Sequence, residues 1–372
     1  MKFGSLLMPS HPPEIAIREG QKADLAELER LDAIGFDEAW IGEHFTAQWE
    51  PCPAPDLLIA QGLLRTQNIR LGPLGHLLPY HNPVELAHRV AYLDHMAGGR
   101  YQLGVGISAL PSDRDLFDIK AAGGRNRRMT FESLEMMTGL WTEGPSRFTG
   151  EFWSMGKPES TLPGLGYHLT PYQTPHPPIA IAGLTAGSDN HKLAGEKGYL
   201  PVSLSVDPDL SITSQHWDAV VEGAKRANRQ PNRDNWRIVR DVYVAPTDTE
   251  ARELAIGGAM GRCWREFLLP IYLGLGLGPI LKTDPDMPDS AIDLDYLADN
   301  LWLVGSPDTV AERIESLQDQ TGGFGYLTIV SYDATKEIEP WERSLRLLLE
   351  DVAPRVRKRL RAEATETSVA AR

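Results

Sequence analysis

The amino-acid sequence predicts an α/β protein, a (β/α)8 TIM barrel with insertions after strands four and seven. Three observations carry this. Eight short apolar or β-branched runs are spaced along the chain, and the segments between them place apolar residues near a 3.6-residue period. The 372 residues are 42% hydrophobic and 24% charged, a globular balance with enough chain to bury a sizeable core. Eight such strand and helix units close into a barrel, whose chemistry lies at the C-terminal ends of its strands.

In chain order the expected strands are KFGSLL (2–7), EAWIGE (38–43), IRLGPL (69–74), YQLGVG (101–106), PIAIAG (178–183), YLPVSLS (199–205), WRIVRDVYVA (236–245) and GYLTIVSY (325–332). Between them ADLAELERLDAIGF, PDLLIAQGLLRTQ, PVELAHRVAYLDHM, RMTFESLEMMTGLW, SDNHKLAGEKG and SPDTVAERIESLQDQ read as amphipathic helices, several opening on a Ser, Asp or Pro that suits a helix start. Residues 143–177 and 262–300 are too long for barrel loops, and long insertions usually cover active sites. Both are therefore expected on the C-terminal face, with Phe152, Trp153 and Tyr167 forming an apolar lid. Residues 1–361 read as one domain, and the polar stretch 362–372 as a disordered tail.

The net charge of −14 argues against wrapping nucleic acid or lying on an anionic membrane, since both need basic surface. Two cysteines, Cys52 and Cys263, form no CxxC and no disulfide framework, which suits a reducing cytoplasm. No signal segment or membrane span is recognisable.

The stretch EAWIGEHF (38–45) sets Glu43 and His44 where the second strand empties into its loop, on the face that carries catalysis. The plainer reading, that the pair merely ends a strand, stays open. His81, His88 and His95 recur every seven residues, but seven residues of helix span about 10.5 Å, too far to share a metal, so they read as one helix face and no metal site is expected. GLGLG (274–278) lacks dinucleotide spacing. No Ser-His-Asp order or paired carboxylates suggest hydrolysis. Cys52 is a candidate for the pocket wall, though buried filler is the simpler reading.

The ordered set FDEAWIGEH, RLGPLGHLLPYHNPVELAHRVAYLDHMAGGRYQLGVG, HPPIAIAG and VGSPDTVAERIESL with TGGFGYLTIV resembles the bacterial luciferase-like flavin-dependent monooxygenase family over most of the chain. Within it, ALPSD (109–113) and GGFGYLTI look most like the limonene monooxygenase branch. The resemblance implies a two-component enzyme. It would take reduced FMN from a separate NAD(P)H-dependent flavin reductase, form a flavin C4a-hydroperoxide with O2, and oxygenate an apolar terpene-, ketone- or aldehyde-like substrate. His44 is the matching position for the group that manages the peroxide proton, and Glu43 would orient its imidazole.

The same resemblance places a non-proline cis peptide at Leu74 to Gly75, with Pro73 a departure beside it. Gly104 and Gly106 would let flavin approach the end of strand four. The FMN phosphate would find donors at Thr185, Gly187 and Ser188, where strand five opens into a helix. Bacterial luciferases carry Glu-Ser where this chain has Gly183 and Leu184, so those donors must be supplied differently. Arg128 matches a family arginine and would add charge, or is simply a surface arginine. DLLIAQGLLRT and VELAHRVAYLDHM are apolar on more than one face, and the family's dimers use this side of the barrel, so a homodimer is expected. Two alternatives remain: a deazaflavin- or flavin-dependent dehydrogenase or reductase on the same scaffold, and a non-catalytic flavin-binding protein.

Overall fold

The computed structural model describes residues 1–120, 122–159 and 162–370. Parallel strands form a ring in the order β3-β2-β1-β13-β10-β9-β8-β5-β4. The strands are β1 (Lys2–Leu7), β2 (Glu38–Ile41), β3 (Arg70–Pro73), β4 (His76–Leu77), β5 (Leu103–Gly106), a small hairpin of β6 (Phe148–Thr149) and β7 (Ser154–Met155), then β8 (Ile179–Gly183), β9 (Leu200–Leu204), β10 (Arg237–Arg240), β11 (Val242–Val244), β12 (Leu303–Gly305) and β13 (Tyr326–Ser331). β3 and β4 are two halves of one strand, separated at the Leu74–Gly75 peptide, which is cis as the resemblance implies. A parallel bridge between Leu71 and Tyr101 joins this strand to the start of the fourth, so the ring closes. Counting the halves together, the eight expected strands are the eight staves. The expected seventh strand divides into β10 and β11, and β11 pairs with β12, a three-residue strand too short to register as a sequence pattern.

The first helices are α1 (Ile17–Ile34), α2 (Pro55–Arg65), α3 (Pro83–Ala97), α4 (Pro111–Leu116), α5 (Arg125–Glu143), α6 (Asp189–Lys197) and α7 (Ser211–Arg226). Their ends follow capping chemistry: Asn82 accepts from the amides of Val84 and Glu85 at the start of α3, and Gly98 closes it in the left-handed region. Inside the ring pack Leu6, Trp40, Leu74, Ala180, Val202 and Val239. Below them, at the strand N-termini, Arg237 meets Glu38 at 2.9 and 3.1 Å, and Trp40 Nε1 and Gln102 Nε2 also donate to that carboxylate. A buried pair satisfied on this many sides closes the bottom of the barrel.

The first insertion does not cover the mouth, a correction to the placement expected for it: its last residues lie at the strand N-termini, and its hairpin climbs the outside of α5 to the first turn, where Arg125 and Arg128 lie over the Phe152 ring. Residues 143–177 follow a helix and lead into a strand, so the segment begins and ends on the N-terminal side. Gln173 donates to Asp94 and to the carbonyl of Tyr101, ahead of β5, and His95 Nε2 donates to the carbonyl of Thr170. Phe152 and Trp153 give their amides to Glu132 on α5, and Tyr167 stands edge-on to His88 of α3. These aromatics pack on the outer helices and form no lid. The second insertion does reach the mouth, through Trp264, Phe267, Tyr272 and Leu275. The last helix continues from Ala353 to Ala370, through most of the stretch expected as a tail, and residues 371 and 372 lie outside the described residues.

Candidate active site

A cavity of about 230 Å³ opens at the C-terminal ends of the strands. Leu6, Leu204, Val239 and Val330 supply apolar wall from four strands, and Trp264, Phe267 and Tyr272 roof it. Ser205, Asp241 and Tyr332 are among its few polar groups. The Tyr332 hydroxyl donates to Asp241, and Trp264 Nε1 lies 3.0 Å from that hydroxyl. An apolar chamber with a few placed polar groups suits a small organic ligand.

His44 stands in this wall, three residues past the end of β2. Its Nε2 lies 3.3 Å from Glu50 Oε2 and its Nδ1 3.5 Å from Asp113 Oδ2. Burial alone would favour the neutral ring, but the two carboxylates outweigh it and raise the imidazole's pKa, so the charged form persists to higher pH. Asp113 comes from α4, in the loop after strand four. It accepts from the Thr46 amide at 2.8 Å and from the Phe45 amide at 3.4 Å. Those contacts and His44 overcome its own burial and lower its pKa.

Glu43 faces away from its neighbour. His76 Nδ1 donates to Oε2 at 2.6 Å, His81 Nε2 donates to Oε1 at 2.8 Å, and the Leu77 amide adds a third bond at 3.2 Å. Burial would raise this carboxyl, yet the two imidazole donors hold it down at about 2. The expected orientation of His44 by Glu43 is therefore replaced by orientation through Glu50 and Asp113. The donor atoms of Glu43, His76 and His81 lie within 4.8 Å of one another, a spacing a metal ion could bridge. Their direct contacts make the cluster a hydrogen-bonded one. His81 precedes α3, so only His88 and His95 of the heptad series are helical.

The glycines expected beneath a flavin have a nearer reason to be glycine. A Cβ on Gly104 would stand 2.0 Å from the Pro73 carbonyl oxygen, and one on Gly75 would stand 2.5 Å from the Val105 backbone. A Cβ on Gly106 would meet Leu77 at 2.9 Å. The close approach they permit is that of strand three to strand four around the cis peptide, with Leu74 filling the barrel interior.

Gly183, Thr185, Gly187 and Ser188 come together ahead of α6. Ser188 Oγ caps the helix by accepting from the His191 amide, Gly187 takes a left-handed φ of 61°, and the Thr185 carbonyl accepts from His216 Nε2 at 3.0 Å. A Cβ on Gly183 would strike His191 and Ser188 at about 2.5 Å, so this turn is packed from below. Arg128 is not brought to it: its guanidinium binds Glu151 of the hairpin, on the surface. Arg127, one step around the helix, reaches Asp189 at 2.8 Å, the first residue of α6. Adjacent helix positions differ by about 100° in direction, which a sequence match to one arginine does not resolve.

Cys52 does not line the cavity. It packs under a neighbouring loop, where burial raises its thiol to about 12, and its carbonyl accepts from the His44 amide at 3.0 Å. Leu275 and Leu277 of the GLGLG run line the chamber. Sequence reasoning missed Glu50, Asp113 and His76. Asp113 ends the ALPSD run, and His76 lies within RLGPLGHLLPY, but neither segment reveals what its side chain meets.

A family model described as luciferase-like monooxygenase matches residues 1–322. The chain is 33% identical to 3,6-diketocamphane 1,6-monooxygenase of Pseudomonas putida, across 96% of this chain and 98% of that one. It is 28% identical to limonene 1,2-monooxygenase of Rhodococcus erythropolis, across 95% and 86%. The solved oxygenating constituent of 3,6-diketocamphane monooxygenase from the CAM plasmid of Pseudomonas putida, a Type II Baeyer–Villiger monooxygenase in complex with FMN, superposes with a TM-score of 0.88 at 34% identity, covering 95% of this chain and 98% of that one. A secondary alcohol dehydrogenase, 16% identical with a TM-score of 0.67 over 95% and 98%, shares the fold alone.

Proposed function

Because the chain belongs to the luciferase-like monooxygenase family, we propose that it is the oxygenase component of a two-component FMN-dependent monooxygenase, and that its substrate is an apolar cyclic ketone of terpene type, oxygenated in a Baeyer–Villiger reaction. The observation that carries this reading is an apolar chamber at the strand C-termini whose wall holds one imidazole, flanked by Glu50 and Asp113, which favour its charged form.

Reduced FMN, supplied by a separate NAD(P)H-dependent flavin reductase, brings the oxygen-activating chemistry when bound. The residues present fit such a group. A planar ring would lie against the main chain of the Leu74–Gly75 turn, which Gly104 and Gly106 hold in place from the neighbouring strand. Gly183, Thr185, Gly187 and Ser188 offer amide and hydroxyl donors for the phosphate at the start of α6, with Arg127 adjacent. His44 holds a proton between two carboxylates at 3.3 and 3.5 Å, contacts long enough for a small ring rotation to turn one N–H into the chamber. The apolar walls exclude water, so the oxygen is directed to the ketone.

The exposed side chains Leu57 and Leu64 on α2 and Tyr92 and Met96 on α3 favour a homodimer through these helices. Two unpaired cysteines fit a cytoplasmic setting, and among the described residues no helix is long and apolar enough to cross a membrane.

The test is to supply reduced FMN, isotopically heavy dioxygen and a bicyclic terpene ketone, and to analyse the products by mass spectrometry. A lactone carrying one heavy oxygen is the expected outcome. Ketone reduced to alcohol by a deazaflavin hydride donor, with no oxygen incorporated, would select the dehydrogenase reading instead.

A further inference from the structure

A second cavity of about 270 Å³ lies beside the chamber, and its lining mixes apolar wall from Pro12, Ile15 and Trp49 with a polar side of Ser10, Arg262, Asp333 and Glu337, Thr335 and Lys336 being exposed at its rim. The wall between the two is apolar where Trp49, which lines the second cavity, stacks on Phe267, which lines the chamber, with ring centroids 5.7 Å apart and planes 12° from parallel. A polar connection crosses it. Glu50 lines the chamber and Ser10 the second cavity, and the Ser10 hydroxyl donates to Glu50 Oε1 at 3.1 Å. The other oxygen of that carboxyl, Oε2, is the one 3.3 Å from His44 Nε2. Each carboxyl oxygen thus faces one partner, and the three side chains form an unbroken line from chamber to second cavity.

We propose that Ser10 and Glu50 are a proton relay that recharges His44 from the second cavity, so that the reaction draws its proton from solvent while the chamber stays dry. The proposal rests on the reading of His44 as the proton-handling group.

Of the two carboxylates beside His44, only Glu50 suits a relay. Asp113 is held as an anion by two backbone amides, the Thr46 side chain and His44. Glu50 is only 4% exposed and has the Ser10 hydroxyl and His44 as partners, and burial raises its pKa so that its protonated form is within reach. The other charged groups acting on the pair are Glu43, which favours the His44 cation, and Asp113, which favours protonation of Glu50. Cys263 lines the second cavity, and Glu50 helps keep its thiol neutral.

In the transfer, the O–H bond at Glu50 Oε2 breaks as an N–H bond forms at His44 Nε2. Ser10 passes its hydroxyl proton to Oε1 and takes another from water in the second cavity, and the carboxyl turns over to reset. One proton enters from solvent for each one delivered, and no electron moves.

The experiment has two arms. In flavin-free protein, the His44 imidazole is titrated by NMR with labelled histidine, its signal assigned by its loss in His44→Asn. Glu50→Gln should shift the His44 midpoint to lower pH by about one unit, the size expected when an adjacent charge is lost. An unchanged midpoint overturns the link. In the FMN-loaded enzyme, Ser10→Ala should lower product formed per hydrogen peroxide released by about 10²-fold, the low end of the loss for an acid–base function, with the ketone KM unchanged. Ser10→Thr, which keeps the hydroxyl, should match wild type. Wild-type coupling in Ser10→Ala overturns the relay and leaves His44 its role, whereas wild-type coupling in His44→Asn removes the premise itself.

Discussion

The carboxylate of Glu43 lies 2.6 Å from Nδ1 of His76, which is 33 residues on, and turns its back on its sequence neighbour His44. Two ionisable residues that read as one catalytic pair therefore serve two sites. Glu43 ties the second barrel strand to the turn after the third, and His44 faces the chamber between Glu50 and Asp113.

His44→Asn should retain binding of reduced FMN, because the proposed phosphate donors stand on another strand. Product per hydrogen peroxide released should fall by about 10² to 10⁴, the range for loss of a positioned acid or base. Parallel assays of product and peroxide per flavin consumed measure this. An unchanged ratio would return His44 to a structural role.

Glu43→Gln should act first on stability. It breaks contacts to two imidazoles in a buried cluster, and breaking buried pairs of this kind costs about 3 kcal/mol. Urea unfolding of the variant at neutral pH reads this directly. Acid titration gives the matching sign: the carboxyl is held at about 2 when folded, so its contribution is present above its ordinary value near 4.5 and is lost as pH falls from there toward 2. A variant that unfolds like wild type but loses coupling would restore the expectation of a direct role beside His44.

His11 lies between Asp24 at 3.0 Å and Asp333 at 2.8 Å, tying the loop after β1 to α1 and to the loop after β13. Burial opposes its charge, but the two carboxylates outweigh it and raise the imidazole to about 9. A raised folded pKa gives stability that is fully present below about 6.5 and is lost as pH rises through 9. Thermal melts should show a fall across that window, and His11→Asn should flatten it. A variant that keeps the wild-type slope would assign the effect elsewhere.

Gly104→Ala would place a methyl group 2.0 Å from the Pro73 carbonyl, where backbone cannot yield as a flexible side chain does. The joint between strands three and four should open, costing about 3 kcal/mol or more, with weaker FMN binding as the second readout. Wild-type stability would mean that the two strands have room to move apart.

Leu64 is 81% exposed, and with Leu57, Tyr92 and Met96 it forms the apolar surface of α2 and α3. Light scattering should report a dimer at micromolar concentration, and Leu64→Glu should shift it to monomer while leaving the melting temperature of the barrel nearly unchanged. A wild-type monomer would count against assembly through this face.

Local order in the sequence was sufficient for the architecture. Strand and helix periods are properties of a few adjacent residues, so eight apolar runs such as KFGSLL and GYLTIVSY, alternating with amphipathic segments such as ADLAELERLDAIGF, already imply the barrel and put His44 on its C-terminal face. The run RLGPLG, read with its resemblance, led to the cis peptide at Leu74 and Gly75. Only the tertiary structure decided which side chains meet. Glu43 and His44 are adjacent, yet consecutive side chains at a strand end point to opposite sides, and no local pattern says that one finds His76 and His81 while the other finds Glu50 and Asp113. Likewise Arg127 and Arg128 are equivalent as letters and differ only in helical phase. The insertion at 143–177 starts and ends at the far side of the barrel because it follows a helix and leads into a strand, and its hairpin packs on the outside of α5, a consequence of chain direction that its composition does not carry.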